Sequence, residues 1–431
     1  MTVETMPDGG STAHRFQPKL ASVVREGYDG HAFRADAMAG LTVAVVALPL
    51  SMAIAVASGV SPERGLYAAI VGGLIVSTLG GSRVQIGGPA GAFIVLVAAT
   101  AAKFGLQGLL TAVLLSGIML TLLGLLRVGS LVRHMPHAVT VSFTCAIAVT
   151  IAASQLKDFA GLRLGGPEPG AFFPKLAALG SALGSLNLAA CGLGVAVTAG
   201  IVGLRRLRPR WPGMLLCVVV ASLAAWALKL PVETIGSRFG GIPRGLPAPV
   251  LPSLQPAFMV QLLPSAISFA LLGAVESLLS AKVADGMTGR KHRSNMELVA
   301  QGLANVATAL FGGICVTGTI ARTATNVRAG ARSPVAGILH SIFLLIFMIV
   351  AAPLAAYVPL AALAGVLLVV CWTMAEKAEF ARLLGQWRPA SIALITFGLT
   401  LVRDLTTGIV AGCVLAALFA LLRRPVAEEG A

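Results

Sequence analysis

Apolar residues run through this chain in long stretches, separated by short breaks rich in polar residues, glycine or proline. A helix needs about 20 apolar residues to cross a bilayer. Stretches near that length fall at about 38–59, 107–126, 136–156, 187–204, 212–229, 258–284, 333–352, 355–374, 388–403 and 405–422. Shorter ones fall at about 66–79, 90–102, 295–310 and 319–330. The pattern predicts an all-α polytopic membrane protein with 14 transmembrane segments. The segment near 170–186, with Phe172, Phe173, Leu176 and Leu183, reads equally as an interfacial helix or as part of a tilted span.

Residues 231–256 hold Pro231, Pro243, Pro247, Pro249, Pro252 and Pro256, the longest predicted loop. It divides the chain into two halves of seven segments. Seven is odd, so the second half must run through the membrane inverted relative to the first. The third segment of each half is then short and interrupted. One is Gly87-Gly88-Pro89-Ala90-Gly91-Ala92-Phe93 and the other Thr317-Gly318-Thr319-Ile320-Ala321-Arg322-Thr323. Interrupted segments at matching places in two halves are the sequence pointer to a transporter's binding site.

Composition fits this picture. Of 431 residues, 57% are hydrophobic and 11% charged, which excludes a soluble enzyme, a disordered chain and a disulfide scaffold. The formal charge of +15 would suggest nucleic acid in a soluble protein. No basic run is interleaved with aromatics, however, so no nucleic-acid partner is expected. Alternating the predicted loops puts 22 Lys and Arg residues on the side of the termini and nine on the other, with Arg322 inside a segment. The richer side includes Arg205, Arg206, Arg208, Arg210, Arg290, Lys291, Arg293, Arg423 and Arg424. The positive-inside rule makes both termini cytoplasmic. Residues 1–36 form the expected cytoplasmic N-terminal segment, 37–424 the transport domain and 425–431 a short tail. No signal peptide is visible. Trp211, Trp372 and Trp387 fall at segment ends, as interfacial anchors do. The six cysteines form no Cys-x-x-Cys pair and read as packing residues rather than metal ligands.

The chemistry follows from the two interrupted segments. A helix that starts inside the bilayer has unpartnered first N–H groups and about half a positive charge at that end. Two such starts facing each other make an anion site built from backbone. Gly88, Pro89 and Ala90 line one start; Thr319, Ile320, Ala321 and Arg322 line the other. Arg322 opposes the helix dipole and is costly in the membrane, so an anionic substrate or an internal carboxylate should compensate it. Glu276 lies alone in the apolar run Leu271–Leu279. Intramembrane acids mark ion pathways and proton relays, so Glu276 is the candidate coupling residue, for a proton or for sodium. The alternative is a static Glu276–Arg322 bridge. Pro49 breaks the helical ladder in the first segment, and Ser51 is a polar contact beside it. His134 and His137 flank Pro136 in a loop, and Asp404 follows Arg403 as a local pair. No catalytic triad, phosphate loop or His-Glu-x-x-His motif is present.

At these residues the chain resembles the SulP family, the sulfate-permease type of anion transporters. Leu48-Pro49-Leu50-Ser51-Met52-Ala53-Ile54-Ala55 with Gly65-Leu66-Tyr67 is similar to the family's first-span signature. Gln85-Ile86-Gly87-Gly88-Pro89-Ala90 is similar to its third-span start, and Thr317 to Asn326 to its tenth span. The likeness runs over about residues 33–422. It implies a 7+7 inverted repeat, with spans 1–4 and 8–11 as a core and spans 5–7 and 12–14 as a gate. It places Ser51, Ile54 and Ala90 against the anion, makes Glu276 the coupling residue, and makes Ala321 and Arg322 the anion-facing pair. It also implies a homodimer and elevator-type alternating access. Leu50 stands where many members have Gln, and no STAS domain follows the last span.

Together these readings describe a secondary active transporter of small inorganic or carboxylate anions in a bacterial inner (cell) membrane. Sulfate comes first, then bicarbonate and C4-dicarboxylates, and coupling runs through Glu276. No cofactor beyond the coupling proton, or sodium, is expected, and no metal. The alternatives are a nucleobase–proton symporter of the same fold and an uncoupled anion exchanger or channel. A nucleobase site would want a second carboxylate where this chain has Arg322. No catalytic pair supports an enzyme.

Overall fold

The computed structural model describes residues 16–129, 136–166, 168–169, 171–208, 211–403 and 405–421. The first fifteen residues, His134, Arg210, Asp404, Arg423, Arg424 and the 425–431 tail lie outside the described residues.

A short helix, α1 (Lys19–Glu26), precedes α2 (Gly30–Ala57), which carries Pro49 within it. The Asp29 carboxylate accepts the Ala32 N–H at 2.7 Å and so caps α2. Next, α3 (Glu63–Tyr67) runs through a π-helical turn (Ala68–Gly72) into α4 (Gly73–Leu79). Strand β1 (Gly87–Gly88) and a 3-10 turn (Gly91–Phe93) lead into α5 (Ile94–Leu125). Gly105 leaves the helical conformation inside α5, at φ 68° and ψ −174°. The run is therefore two helices meeting at a bend, where the apolar pattern also breaks.

Further along lie α6 (His137–Ala160), α7 (Phe172–Ser181), α8 (Leu188–Leu207), α9 (Gly213–Ala227) and α10 (Ile235–Phe239). The second half brings α11 (Pro256–Thr288), α12 (Ser294–Leu310), β2 (Thr317–Gly318), α13 (Ile320–Arg328) and α14 (Val335–Ala355). It ends with α15 (Leu360–Met374), α16 (Lys377–Leu384), α17 (Trp387–Val402) and α18 (Leu405–Leu421).

Helix occupies each of the fourteen predicted segments. Length and apolarity single out fewer as membrane-crossing. Among the described residues six helices qualify, or seven if α15 and α16, bent by 40°, are one span. The others are shorter than a bilayer is thick. The segment near 170–186 holds a separate ten-residue helix, α7, about 15 Å long and too short to cross a bilayer alone.

The chain divides into two compact units. Unit 1 takes residues 1–133 and 241–355; unit 2 takes 134–240 and 356–431. In unit 1, α5 packs along α11 and α12, and α2 along α14. Leu120, Ala270, Ala274, Leu278 and Leu298 form one of its apolar clusters. Lipid tails are as apolar as these side chains, so the helices hold together by close packing. Gly117 of α5 lies against the Gly302 carbonyl of α12 and Gly40 of α2 against the Ala336 carbonyl of α14, leaving no room for a methyl group. In unit 2, α6 packs on α15 and α17 and α8 on α15, with Ala138, Val139 and Ile392 in a shared cluster.

Candidate anion site

Every candidate site residue lies in unit 1. After α4 the chain extends, and Gly87–Gly88 pairs antiparallel with Thr317–Gly318, Gly87 opposite Gly318 and Gly88 opposite Thr317. Non-helical backbone at membrane depth must find partners within the protein. Here the Thr319 N–H donates to the Ile86 carbonyl at 3.0 Å. The Ile86 N–H donates to the Thr323 hydroxyl at 3.1 Å. Asn326 Nδ2 donates to the Val84 carbonyl at 2.9 Å.

Strand β2 leads through Thr319 into α13, and β1 leads through Pro89 and Ala90 into the 3-10 turn that opens α5. Ala90 and Thr319 are the flanking residues, both extended, and neither side chain caps its helix. The Thr319 hydroxyl instead reaches the Ile86 carbonyl at 3.2 Å. The first-turn N–H groups on both sides therefore keep their positive ends. The antiparallel pairing brings these two starts together at one place.

Arg322 occupies the third position of α13 and is almost fully buried, with 2% of its surface exposed. Its Nη2 donates to the Ser51 hydroxyl of α2 at 3.1 Å and to the Pro89 carbonyl at 3.3 Å. Its Nε and Nη1 have no partner among the described residues. Gly88 lies against it, and a methyl group there would meet Nη1, so the guanidinium would have to shift. A buried guanidinium with two unanswered nitrogens is costly, and an anion between the two helix starts would answer both.

Glu276 is half-buried on α11, and its Oε2 has no partner among the described residues. No ion pair joins it to Arg322 among the described residues, so the static bridge is not formed. Its neighbour Ser277 ties α11 to the strands: its hydroxyl bonds Thr317 Oγ1 at 2.7 Å and accepts the Gly318 N–H at 3.2 Å. Gln85 Nε2 donates to the Ser277 carbonyl at 3.1 Å, and a methyl group on Gly318 would overlap the Gln85 amide.

The structure thus brings Ser51, Gly88, Pro89 and Arg322 together, with Ala90 and Thr319 at the two helix starts. Ile54 is buried one turn further along α2. Ile320 is half-exposed and Ala321 exposed, so a ligand can reach the start of α13. Sequence reasoning gave no role to Gln85 or Ser277, and named Thr317 and Thr323 only as part of the interrupted segment. Their signal, lone polar residues inside or beside apolar segments, was weaker than that of Glu276 or Arg322. It also missed His340, fully buried in α14 with neither ring nitrogen partnered among the described residues. A cleft of about 200 Å³ lies elsewhere in unit 1, against Glu63, Arg64, Tyr67 and Gln107, and contains none of the candidate residues.

Comparison with known proteins gives a consistent result. The model of the sulfate permease family matches residues 33–397. YvdB of Bacillus subtilis, whose name assigns it to sulfate transport only provisionally, is 43% identical over 407 residues, 92% of this chain and 75% of YvdB. The bicarbonate transporter BicA of Picosynechococcus is 31% identical over 393 residues, 88% of this chain and 68% of BicA. The solved transmembrane domain of a cyanobacterial BicA matches with a TM-score of 0.76 at 28% identity, covering 90% of this chain and 98% of that one. The structure of SLC26A9 has a TM-score of 0.86 at 20% identity, covering 96% of this chain and 69% of that one, a likeness of fold. The mostly helical polytopic architecture is that of these transmembrane domains.

Proposed function

The chain belongs to the sulfate permease family and is an integral membrane anion transporter of that family, not an enzyme, and from this premise we propose that it accumulates small anions by proton-coupled transport. Sulfate is the first substrate, with bicarbonate and C4-dicarboxylates behind it. The anion sits between the starts of α5 and α13, with Ser51, Ile54, Gly88, Pro89, Ala90, Thr319, Ile320, Ala321 and Arg322 around it. The observation that carries this reading is Arg322, whose free Nε and Nη1 lie where the two helix starts meet. Backbone N–H groups and one guanidinium give charge-assisted hydrogen bonds that any small oxyanion can accept, which suits several small anions.

Glu276 supplies the coupling. A carboxylate near a bound anion is repelled by it, and taking up a proton removes that repulsion. Proton and anion then bind and leave together. The freedom of Glu276 from Arg322 supports this role. Unit 1 would act as the moving core and unit 2 as the gate of an elevator-type cycle, in a homodimer with both termini cytoplasmic. The fourteen helical segments would form a 7+7 inverted repeat, of which the shorter helices are partial or tilted crossings. Packing within unit 1 supports the repeat. Helix α2 packs on α14 as α11 packs on α5, and β1 pairs with β2, the exchange that an inverted repeat produces.

The test is Glu276→Gln in proteoliposomes. It should abolish proton-driven accumulation while leaving anion exchange largely intact. Unchanged accumulation would make Glu276 a structural residue.

A further inference from the structure

A second concentration of charge lies in unit 1, away from the anion site. The loop after α4 carries Arg83 and the loop between α11 and α12 carries Arg290 and Arg293; α1 meets the first loop through Lys19 and Glu26, and Gln17 just before α1 meets the second. The backbone here is firmly built. The Lys19 N–H donates to the Gly80 carbonyl and the Arg293 N–H to the Gly81 carbonyl, each at 2.9 Å. Arg293 Nη1 donates to the Gln17 carbonyl at 2.7 Å. The fully buried Glu297 carboxylate accepts the Gly81 and Ser82 N–H groups at 2.9 and 3.1 Å.

The charges in this frame do not balance. Glu26 forms an ion pair with Arg83. Asp285 is taken up by His292, whose Nδ1 lies 2.6 Å from Oδ2. The side chains of Lys19 and Arg290 have no hydrogen bond or ion pair among the described residues. Lys19 is half-buried, and burial, with Arg293 and then Arg83 adding to it, pushes its pKa down to about 8. A partly buried ammonium beside two guanidiniums is destabilised unless an anion joins them.

We propose that Lys19, Arg83, Arg290 and Arg293 form a binding site for a phosphate group, separate from the transport site. A carboxylate offers two oxygens and one charge. A phosphate ester or free phosphate offers three or four oxygens and up to two charges, which matches two unanswered cations flanked by two guanidiniums already held in place. The group belongs either to an anionic lipid or to a soluble phosphate. Its occupancy locks α1 onto the two loops. Bound phosphate also favours charged Lys19, so affinity falls as pH rises through about 8; the charged groups around Lys19 are Arg293, Arg83, Asp285 and Glu26, with His292 held on Asp285.

The experiment uses the full chain in phosphatidylcholine nanodiscs. One arm titrates labelled inorganic phosphate; the other measures retention of phosphatidylglycerol by native mass spectrometry. Lys19→Gln and Arg290→Gln should each weaken binding about fivefold, the effect of one cation near an anionic surface. Arg322→Ala and Arg25→Gln should leave it unchanged. Binding in the first arm assigns the site to soluble phosphate, and in the second to lipid; either supports the proposal if the two variants weaken it. Binding in neither arm, or equal binding by Lys19→Gln, Arg290→Gln and the parent chain, overturns it. Loss of binding in Arg322→Ala alone would place the phosphate in the transport site and also overturn it.

Discussion

Replacing Arg322 by alanine separates the two jobs a buried arginine can do. In the fold, its Nη2 makes two long hydrogen bonds, to Ser51 at 3.1 Å and Pro89 at 3.3 Å. Hydrogen bonds to a charged group contribute about 1.5–3 kcal/mol each. Against that stands the desolvation of a nearly fully buried guanidinium, several kcal/mol, which the alanine no longer bears. The two terms nearly cancel, so folding stability should change by less than about 2 kcal/mol. Anion binding has no such compensation. Two charge-assisted bonds, from Nε and Nη1, disappear together with the local positive charge. A loss of about 3 kcal/mol is roughly 150-fold in affinity. The assay is equilibrium binding of labelled sulfate to purified protein, beside thermal unfolding of the same sample. Arg322→Lys should fall between the two, since an ammonium keeps the charge but not the fork. Affinity within about threefold of the parent, in protein that unfolds at the parent temperature, would refute the reasoning.

Three further outcomes follow from named contacts. Gly88→Ala should push the Arg322 guanidinium aside and weaken sulfate binding about tenfold, for about 1 kcal/mol of stability; binding equal to the parent would show that the guanidinium position is immaterial. Asp36→Ala should destabilise unit 1 by about 3 kcal/mol, seen by thermal unfolding in detergent. The buried carboxylate accepts the Arg332 and Ser333 N–H groups, the Ser333 hydroxyl and the Tyr28 hydroxyl, and an unaltered unfolding temperature would contradict that accounting. Glu276→Gln should separate accumulation from exchange, as set out above, in a flux assay with an imposed proton gradient.

Much of this was legible in the sequence, and for physical reasons. Long apolar runs can only be membrane helices, and the Gly-Gly-Pro at 87–89 cannot continue one unbroken, whereas α2 runs on through Pro49, whose missing N–H removes one bond of the ladder without ending the helix. Arg322 and Glu276 stand out because a charge in an apolar run has few reasons to be there. The pairing of Gly87–Gly88 with Thr317–Gly318 was not legible: two residues per strand have no period to read. Nor was the choice between a bound and a free Glu276, since a sequence does not show which face of α11 turns toward Arg322. Ser277, Gln85 and Thr317 pass for ordinary small or polar residues until their hydrogen bonds are seen. Length alone did not sort the segments, because nine-residue α13 is too short to cross a bilayer although its sequence segment was counted as one of the fourteen.

The most direct test of the account is uptake of labelled sulfate, bicarbonate and fumarate into proteoliposomes holding the full chain, with and without an inward proton gradient. The account predicts uptake of at least one of these anions, sulfate first, accelerated and driven above equilibrium by the gradient. Flux that ignores the gradient would contradict the coupling and leave an uncoupled exchanger. No flux of any of the three would contradict the anion site itself.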